Sequence, residues 1–329
     1  MKEYRLRNSN GDIDPTATGY DYAIRTVTAI RAKTLKAKYF EVPPADYMPV
    51  IVGEGAWRQE SRTNFEFLVS GDFESMTVHT GQNDTSLPSV DVAAANKSAK
   101  HYTFAGGYNY SIIDLEMALA SDNWDIVAGK TNGLKKVYDL GIQKVSFLGR
   151  KGDTLAPGLL TNSDVTIDLT TITQNISAMD AATFQTFVAA VIGAYRSNAN
   201  YTAYPNRFVM TEDDFNGMAT ATSSGFPIGD KITYLENAFK KLTKRSDFQV
   251  LPLAYGNAAQ NAGYINGTVG KNRYALYNDD PETIRMDIPV PFQFINPTPR
   301  GISFEGAAVG QYTGAIVYRT REVMYFDHS

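Results

Sequence analysis

The chain has 329 residues, of which 43% are hydrophobic and 20% charged, a composition that is typical of a globular protein and excludes wholesale disorder. The net charge of −4 is too balanced for a protein whose whole surface grips nucleic acid, and the absence of cysteine excludes disulfides, thiolate metal sites and cysteine nucleophiles. We expect no secretory signal, because no apolar segment follows the charged N-terminal residues, and no membrane partner, because no apolar run approaches the roughly 18 residues of a spanning helix.

The first 40 residues form a polar, turn-rich and basic segment, which we expect to be an extended arm. They hold eight Lys or Arg and four Asp or Glu, so this segment carries +4 and the remainder of the chain −8. Two interpretations stay open: a solvated helix face, or an arm that lies against packaged DNA or an acidic neighbour. In the second interpretation the DNA-facing or inter-subunit residues are Arg25, Arg31, Lys33, Lys36 and Lys38.

The sequence next predicts a long polar hairpin over residues 60–104. Phe65 and Phe67 alternate with other residues on the outgoing strand, and Tyr102 and Phe104 alternate on the return strand. Turn-forming residues separate the two strands. A two-stranded ribbon of this length is marginally stable alone in water, so we expect it to lean on another surface, such as a neighbouring subunit.

Mostly apolar residues recur at alternating spacings of four and three. This pattern predicts a helix of about 30 residues over 111–140, on the order of 45 Å long. Ser111 is the predicted N-cap and Gly141 the predicted stop. Gly129 and Gly133 inside the helix each cost about 1 kcal/mol relative to Ala, so a kink or break stays open. The predicted stripe consists of Ile113, Met117, Ala120, Trp124, Val127, Thr131, Leu134 and Tyr138.

Helices and strands are predicted to mix over the remaining sequence, without regular alternation, so we predict an α+β fold and not a doubly wound parallel sheet. Asp180 is the predicted N-cap of a helix whose apolar face is Phe184, Phe187, Val188, Val191, Ile192 and Tyr195. A further helix is predicted to begin at 211–214. Another is predicted to include Leu235, Phe239 and Leu242. Strands are predicted at 144–148, 248–253, 273–277, 284–294, 315–318 and 323–326. Pro289 and Pro291 confine the 284–294 strand to an edge or an irregular position.

No catalytic or metal-binding constellation stands out in the sequence. The Gly-x-Gly motif at 53–55 is not followed by the third glycine of a dinucleotide-binding fingerprint. The acidic pairs at 213–214 and 279–280 are more simply a helix cap and a turn. None of the histidines has metal-ligand spacing to another; they are His79, His101 and His328. We therefore predict no enzyme activity, no cofactor, and no catalytic or metal site.

Four short stretches carry a family resemblance: 47–57, 108–111, 149 followed by 158–162, and 318–319. Their local sequence is similar to a family of short phage major capsid proteins. The order of a basic arm, a polar hairpin, a long helix, an α/β region and a closing strand pair resembles the coat fold of tailed phages, the Hong Kong 97 fold. The resemblance covers nearly the whole chain, and the order of the motifs carries it.

This resemblance implies an α+β subunit with the four parts of the Hong Kong 97-like capsid fold. They are an N-terminal arm over 1–40, an extended loop formed by the hairpin over 60–104, and an axial domain over 165–295. The fourth part is a peripheral domain with the spine helix, which combines 41–59, 105–164 and 296–329.

The same resemblance implies a major capsid protein that self-assembles through pentamers and hexamers into an icosahedral phage head around double-stranded DNA. Portal, scaffold and decoration proteins are further partners that the family implies. The implied location is the virion, with assembly in the host cytoplasm. The residues that we predict to be buried at subunit contacts are Trp57, Phe65, Phe67, Tyr102 and Phe104.

Two other interpretations stay open. An encapsulin-type nanocompartment shell protein shares the fold, and a neighbouring gene for cargo would distinguish it from a phage subunit. A secreted carbohydrate-binding or hydrolytic protein would also be rich in Tyr and Asn, but it predicts a signal peptide and paired carboxylates in one cleft. No Lys, Asn and Glu can be aligned with the crosslinking residues of one relative of the fold, so the resemblance does not extend to a predicted crosslink.

Overall fold

The computed structural model describes residues 38–70, 73–74, 76–77, 89–120, 125–220, 230–265 and 270–328, and it confirms the α+β prediction. The helices are α1 (Ile112–Ala120), α2 (Ile126–Leu148), α3 (Ala181–Asn198), α4 (Glu212–Thr220), α5 (Lys231–Thr243) and α6 (Ala258–Asn261). The strands are β1 (Val50–Val52), β2 (Glu60–Ser70), β3 (Asp91–Lys100), β4 (Tyr102–Ser111), β5 (Thr166–Asp168), β6 (Arg207–Thr211), β7 (Gln249–Leu253), β8 (Asn272–Tyr277), β9 (Ile284–Ile288), β10 (Val290–Arg300), β11 (Ser303–Tyr312), β12 (Ala315–Val317) and β13 (Val323–His328).

The centre of the subunit is a mixed five-stranded sheet in the order β5-β13-β8-β6-β7. Strands β13 and β6 pair antiparallel with β8, and the outer strands β5 and β7 pair parallel with β13 and β6. Successive side chains of a strand point to opposite faces, and both faces of this sheet are buried. In β8, for example, Tyr274 and Leu276 lie in one hydrophobic core, whereas Ala275 and Tyr277 lie in the other.

Helices α3, α4 and α5 contribute to the first core. The Asp180 carboxylate accepts a hydrogen bond from the Thr183 N–H at 2.8 Å, and all six predicted apolar residues of α3 are buried, so this helix prediction is confirmed. Helix α5 buries Leu235 and Phe239 as predicted. Leu242 is 44% exposed because the buried side of the helix continues through Thr243 instead, which corrects the predicted face.

The second core joins the opposite face of the sheet to α2 and to the turn at Tyr47 and Met48. The Tyr277 hydroxyl donates to the Tyr47 carbonyl at 2.5 Å, and the Tyr47 ring packs edge-on against Phe147 with centroids 5.1 Å apart. The long helix is therefore fixed across the sheet by aromatic side chains that come from distant parts of the sequence.

The predicted helix over 111–140 is described as two helices, α1 and α2, with 121–124 of the sequence outside the described residues. Ser111 caps α1 as predicted: its Oγ accepts from the Asp114 N–H, and the Asp114 carboxylate accepts from the Ser111 N–H, both at 3.0 Å. The predicted stop at Gly141 and the predicted strand at 144–148 are wrong, since α2 runs through both. The burial of the last turns against the sheet outweighs the roughly 1 kcal/mol cost of a helical glycine.

Helix α2 ends instead at Gly149, whose φ of +72° favours glycine. The chain then folds back on the helix end, where the N–H groups of Leu159 and Leu160 donate to the carbonyls of Ser146 and Phe147 at 2.8 and 3.0 Å. These bonds satisfy carbonyls that a helix end leaves without an intrahelical partner.

Two three-stranded sheets flank the core, in the orders β10-β11-β4 and β1-β9-β12. The strand predicted at 284–294 divides at Pro289 into β9 and β10, which lie in different sheets. Strand β10 contains Pro291, lies at a sheet edge and has register shifts against β11, as the prolines predicted.

The hairpin is present, but its return strand differs from the prediction. Strand β2 pairs antiparallel with β3, for example Asn64 opposite Asn96. Tyr102 and Phe104, which we had placed on the return strand, belong to β4 and pair with β11 in another sheet. The true return strand is rich in alanine and lacks an aromatic alternation, so its pattern gave no strong strand signal.

The two C-terminal strands are confirmed as strands, but they do not pair with each other. Strand β12 pairs with β9, whereas β13 pairs with β5 and β8 in the central sheet. Thus one strand from the predicted peripheral segment 296–329 shares a sheet with strands of the predicted axial segment 165–295. The division of the chain into arm, extended loop, peripheral domain and axial domain stays a prediction.

Candidate subunit-contact surfaces

The β2–β3 hairpin is held to the rest of the subunit near its base. The Phe65 ring lies against Tyr318 with centroids 5.8 Å apart, and the Lys97 ammonium pairs with Asp164 at 3.0 Å. Further out along β3 the side chains are largely exposed, for example Val92 at 56%. The hairpin therefore presents much of its described surface to solvent or to another molecule.

A polar cluster lies under the hairpin base. The Arg285 guanidinium lies 5.0 Å from the Tyr318 ring centroid and 3.1 Å from the Asp287 carboxylate. Burial lowers the pKa of His101 and raises the pKa of Asp287, so both side chains favour their neutral forms. The anchorage of the hairpin thus adjoins two groups whose charge depends on pH.

Trp57 is the most solvent-exposed of the predicted contact residues whose side chains are described. It has a φ of +61°, which is uncommon for a bulky residue, and its ring is 62% exposed. The Trp57 N–H donates to the Gln311 side-chain oxygen at 2.7 Å, which holds this turn against β11. A large ring is therefore held in solvent by a backbone conformation that carries strain.

The other predicted contact residues have partners within the subunit. Tyr102 donates to Asp153 at 2.7 Å and stacks on Tyr312, and Phe104 packs edge-on against Tyr138 with centroids 5.3 Å apart. The side chain of Phe67 lies outside the described part of the chain. The assignment of Trp57, Phe65, Phe67, Tyr102 and Phe104 to subunit contacts stays a prediction.

The predicted basic residues of the arm are mostly beyond the described chain. Arg25, Arg31, Lys33 and Lys36 lie outside the described residues, and Lys38 is exposed at the start of the described chain. Close by, the Lys136 ammonium on α2 lies 5.4 Å from the Tyr39 ring centroid and pairs with Glu41. The start of the described chain therefore lies beside α2, and the role of the arm stays a prediction.

The structure also exposes an apolar surface that we call the end patch, formed by Ile112, Ile113, Met117 and Ile302. Their exposed fractions range from 48% to 66%, and the Ile112 N–H donates to the Ile302 carbonyl at 3.0 Å. We had placed Ile113 and Met117 in the stripe of a single long helix, and their exposure corrects that prediction. The only signal in the sequence was apolar density at the helix start, which cannot distinguish a core from a contact surface.

The described geometry gives little support to a metal site, a membrane-spanning helix or a catalytic pair of carboxylates. Among the described residues, no group of three or more His, Cys, Asp or Glu is placed to hold a metal ion. None of the helices in the described ranges is long and apolar enough to cross a membrane. Asp214 is buried and accepts hydrogen bonds from Ser177 and Tyr274, while Asp280 accepts the Glu282 N–H in a turn, so both acidic pairs contribute to local packing.

Comparisons with known proteins agree with this geometry. A family model described as major capsid protein matches residues 78–328. The fold is similar to the capsid of Myoviridae Phage XM1, with 15% identity, 93% of this chain and 98% of that chain covered, and a TM-score of 0.75. It is also similar to the capsid of a native GTA particle (11% identity, 95% and 99% covered, TM-score 0.57) and to Gordonia phage Cozz (12% identity, 100% and 99% covered, TM-score 0.55). No curated protein sequence matches the chain.

The family match covers well over half of the sequence, and the similar folds extend over nearly all of it. The described chain has a two-stranded hairpin, a long helix and a central mixed sheet, and together with these matches it confirms the Hong Kong 97 fold and the resemblance to phage coat proteins. The chain belongs to the major capsid protein family: it is a virion protein whose copies assemble into a capsid shell.

Proposed function

We propose that this capsid subunit assembles through pentamers and hexamers into an icosahedral phage head that encloses double-stranded DNA, with assembly in the host cytoplasm. The observation that supports this most is the exposed apolar surface of the single subunit, at Trp57, along the hairpin and at the end patch. Such surfaces mark interaction sites, and neighbouring subunits that cover them would stabilise the folded subunit.

We propose a structural and not an enzymatic role. The acidic pairs that the sequence offered as catalytic candidates lie in the first turn of α4 and in a turn before β9, and the buried Asp214 carboxylate accepts hydrogen bonds from Ser177, Thr211 and Tyr274. Portal, scaffold and decoration proteins remain proposed partners of the assembled shell.

We further propose that the arm covers 1–40, the extended loop 60–104, the axial domain 165–295, and the peripheral domain the segments 41–59, 105–164 and 296–329. In this arrangement Trp57 and the outer hairpin reach neighbouring subunits. Phe65, Tyr102 and Phe104 contribute the part of their surface that their intrachain partners leave open. The arm residues Arg25, Arg31, Lys33, Lys36 and Lys38 face DNA or a neighbour.

Size-exclusion chromatography with light scattering, followed by electron microscopy of the heavy fraction, tests assembly. We expect closed shells with fivefold and sixfold capsomers, and nuclease-protected double-stranded DNA in particles from infected cells. Shells that enclose a protein cargo and no protected DNA would instead support a nanocompartment. Particles without five- and sixfold capsomers would contradict the icosahedral proposal.

Hydrogen exchange tests the proposed role of the hairpin. We expect amides of 60–104 to exchange more slowly in shells than in free subunits, because neighbours cover the exposed ribbon. The central strand β8 is the control, since it is already buried on both faces in the single subunit. Equal protection of the hairpin in both states would remove it from the subunit contacts.

A further inference from the structure

The charge of this chain is unevenly distributed along the sequence. Residues 126–151, which contain α2 and the first residues after it, hold six Lys or Arg and a single acid, Asp139, so they carry +5. Residues 1–40 carry +4, and since the whole chain is −4, all other residues together carry −13. Positive charge is thus concentrated in two segments, and the described start of the arm lies against α2 through Tyr39 and Lys136.

The end of α2 and the residues after it place two of these cations over one tyrosine and a third over another. The ammonium groups of Lys144 and Lys151 lie 5.3 and 5.9 Å from the ring centroid of Tyr264. Beside them, Arg150 stacks over the Tyr102 ring at 4.3 Å and lines a cleft of about 240 Å³ that also reaches Tyr264. Arg150 and Tyr264 line this cleft, and Lys144 and Lys151 lie beside it over the Tyr264 ring; we call these four residues the basic cleft.

The cations of the basic cleft lie against aromatic rings, whereas several other cations of the described chain pair with carboxylates. Arg273 and Arg207, for example, pair with the carboxylates of Asp327 and Asp279. Within the described ranges, Lys144, Arg150 and Lys151 form no ion pair with a carboxylate. An aromatic ring positions a cation without neutralising it, so the charges of Lys144 and Lys151 stay available to a ligand, whereas Arg150 also interacts electrostatically with Asp153.

The chemistry of the cleft fits phosphate groups. The Arg150 guanidinium carries N–H groups suited to a bidentate contact with phosphate oxygens, and the two ammonium groups beside the cleft add point charges. Thr154, Thr161 and Ser163 place hydroxyl groups in the same lining. The acid in the lining is Asp153, whose carboxylate already accepts from the Tyr102 hydroxyl and the Leu155 N–H.

We propose that the basic cleft binds the phosphate backbone of nucleic acid and thereby forms part of the surface that faces the packaged DNA. This inference rests on the proposed function and names the surface that the function needs. DNA confined in a shell is repelled by the −13 of the remaining chain, so the subunit gains by turning its two positive segments toward the DNA.

The test is fluorescence anisotropy of a labelled duplex of about 30 base pairs, titrated with full-length protein at several salt concentrations. For Lys144→Gln with Lys151→Gln we expect affinity to fall about tenfold or more, and the slope of log affinity against log salt to shrink by about 2, since each lost phosphate contact removes about 0.9. The matched control, Lys240→Gln with Lys241→Gln on α5, removes the same charge and should leave affinity within about twofold and the slope unchanged.

Each result decides the proposal. If the cleft variant binds DNA like the control, the proposal is wrong, whereas the proposed function still stands as long as wild-type shells protect DNA. If the variant keeps its DNA affinity but no longer forms shells, the cleft contacts an acidic part of a neighbouring subunit, which also overturns the proposal. If circular dichroism shows that the double variant is unfolded, Lys151→Gln alone, on an exposed loop, should reduce the slope by about 1.

Discussion

The central five-stranded sheet and the β2–β3 hairpin differ in how much of their stability lies within one subunit. Strands β6, β8 and β13 place side chains in two separate cores, and most of their residues are fully buried. The hairpin has two strands, with no second layer of strands among the described residues, and its contacts with the body lie near its base. The sheet can therefore fold within the monomer, whereas a ribbon of this kind is marginal until something covers it.

This difference suggests a division of labour within the subunit. The sheet carries the stability of the fold, and the exposed elements carry the contacts between copies. Substitutions in the sheet should therefore change the free energy of unfolding of one subunit, whereas substitutions in the exposed elements should change assembly. The following experiments test that separation.

The largest expected change is in the free energy of unfolding when the buried ion pair of the central sheet is broken. Arg273 on β8 donates twice to Asp327 on β13, at 2.6 Å each, and both side chains are less than 5% exposed. We expect Asp327→Ala to lower the free energy of unfolding by about 3–5 kcal/mol, because it leaves a buried guanidinium without its counter-charge. Urea denaturation of the unassembled subunit measures this.

Its control is Arg300→Ala at the outer end of β10. Arg300 pairs with Glu305 at 3.0 Å, but the two side chains are 78% and 50% exposed. Loss of such a pair should cost less than about 1 kcal/mol. Equal effects of the two substitutions would contradict the view that the central sheet carries the stability.

The second effect concerns assembly. Trp57→Ala removes an exposed ring at a strained turn, so the stability of the monomer should not fall, whereas the protein concentration needed for shell formation should rise about tenfold or more, as for an interface anchor. Light scattering against protein concentration measures this. Leu169→Ala, at a comparably exposed apolar residue outside the predicted contacts, is the control and should assemble normally.

The third effect tests where the long helix ends. A Cβ on Gly158 would lie 2.4 Å from the Phe147 carbonyl, so Gly158→Ala should destabilise the subunit by about 1–3 kcal/mol. A Cβ on Gly141 meets no atom within 4 Å, so Gly141→Ala should stabilise it by up to about 1 kcal/mol. Thermal unfolding compares them, and destabilisation by Gly141→Ala would show that α2 stops there.

The smallest expected effect is the pH dependence at the hairpin base. Burial lowers the pKa of His101 below its ordinary 6.5, so the unfolded chain takes up the proton more readily. This contribution to stability is present above pH 6.5 and is lost as the pH falls toward the lowered pKa. Asp287 acts in the opposite sense, since its raised pKa contributes stability at low pH that is lost as the pH rises through that pKa.

Urea denaturation of wild type and His101→Gln from about pH 8 to about pH 5 isolates the histidine. We expect the free energy of unfolding of the wild type to fall relative to the variant as the pH decreases. A constant difference across this range would mean that His101 makes no pH-dependent contribution.

The sequence predicted well those features whose partners are close along the chain. Ser111 and Asp180 cap helices by bonds to groups three residues away, and the apolar face of α3 follows a helical period. Pro289 and Pro291 restrict their own backbone wherever the strand lies, so the irregular edge strand could also be predicted. These features depend on covalent geometry and local hydrogen bonds.

The candidate contact surface was predicted only in part, because the local pattern does not show which side chains find a partner in the same chain. An apolar alternation identified Phe104, yet packing against Tyr138 decided that much of its ring is covered within the subunit. The apolar start of α1 looked like core, and only the fold shows that nothing in the described chain covers Ile113 and Met117. The residues of the basic cleft are up to 120 positions apart in the sequence, from Lys144 to Tyr264, so no local sequence motif could reveal it.

The sequence by itself determined the composition class, the helix caps, the proline-limited edge strand and, through the order of its motifs, the family. Only the tertiary structure decided that β3 is the return strand, that α2 runs through Gly141 to Gly149, and that β13 enters the central sheet. Each of these depends on contacts between residues far apart in sequence. Burial against a distant element can exceed a local preference of about 1 kcal/mol, so local preference alone could not fix them.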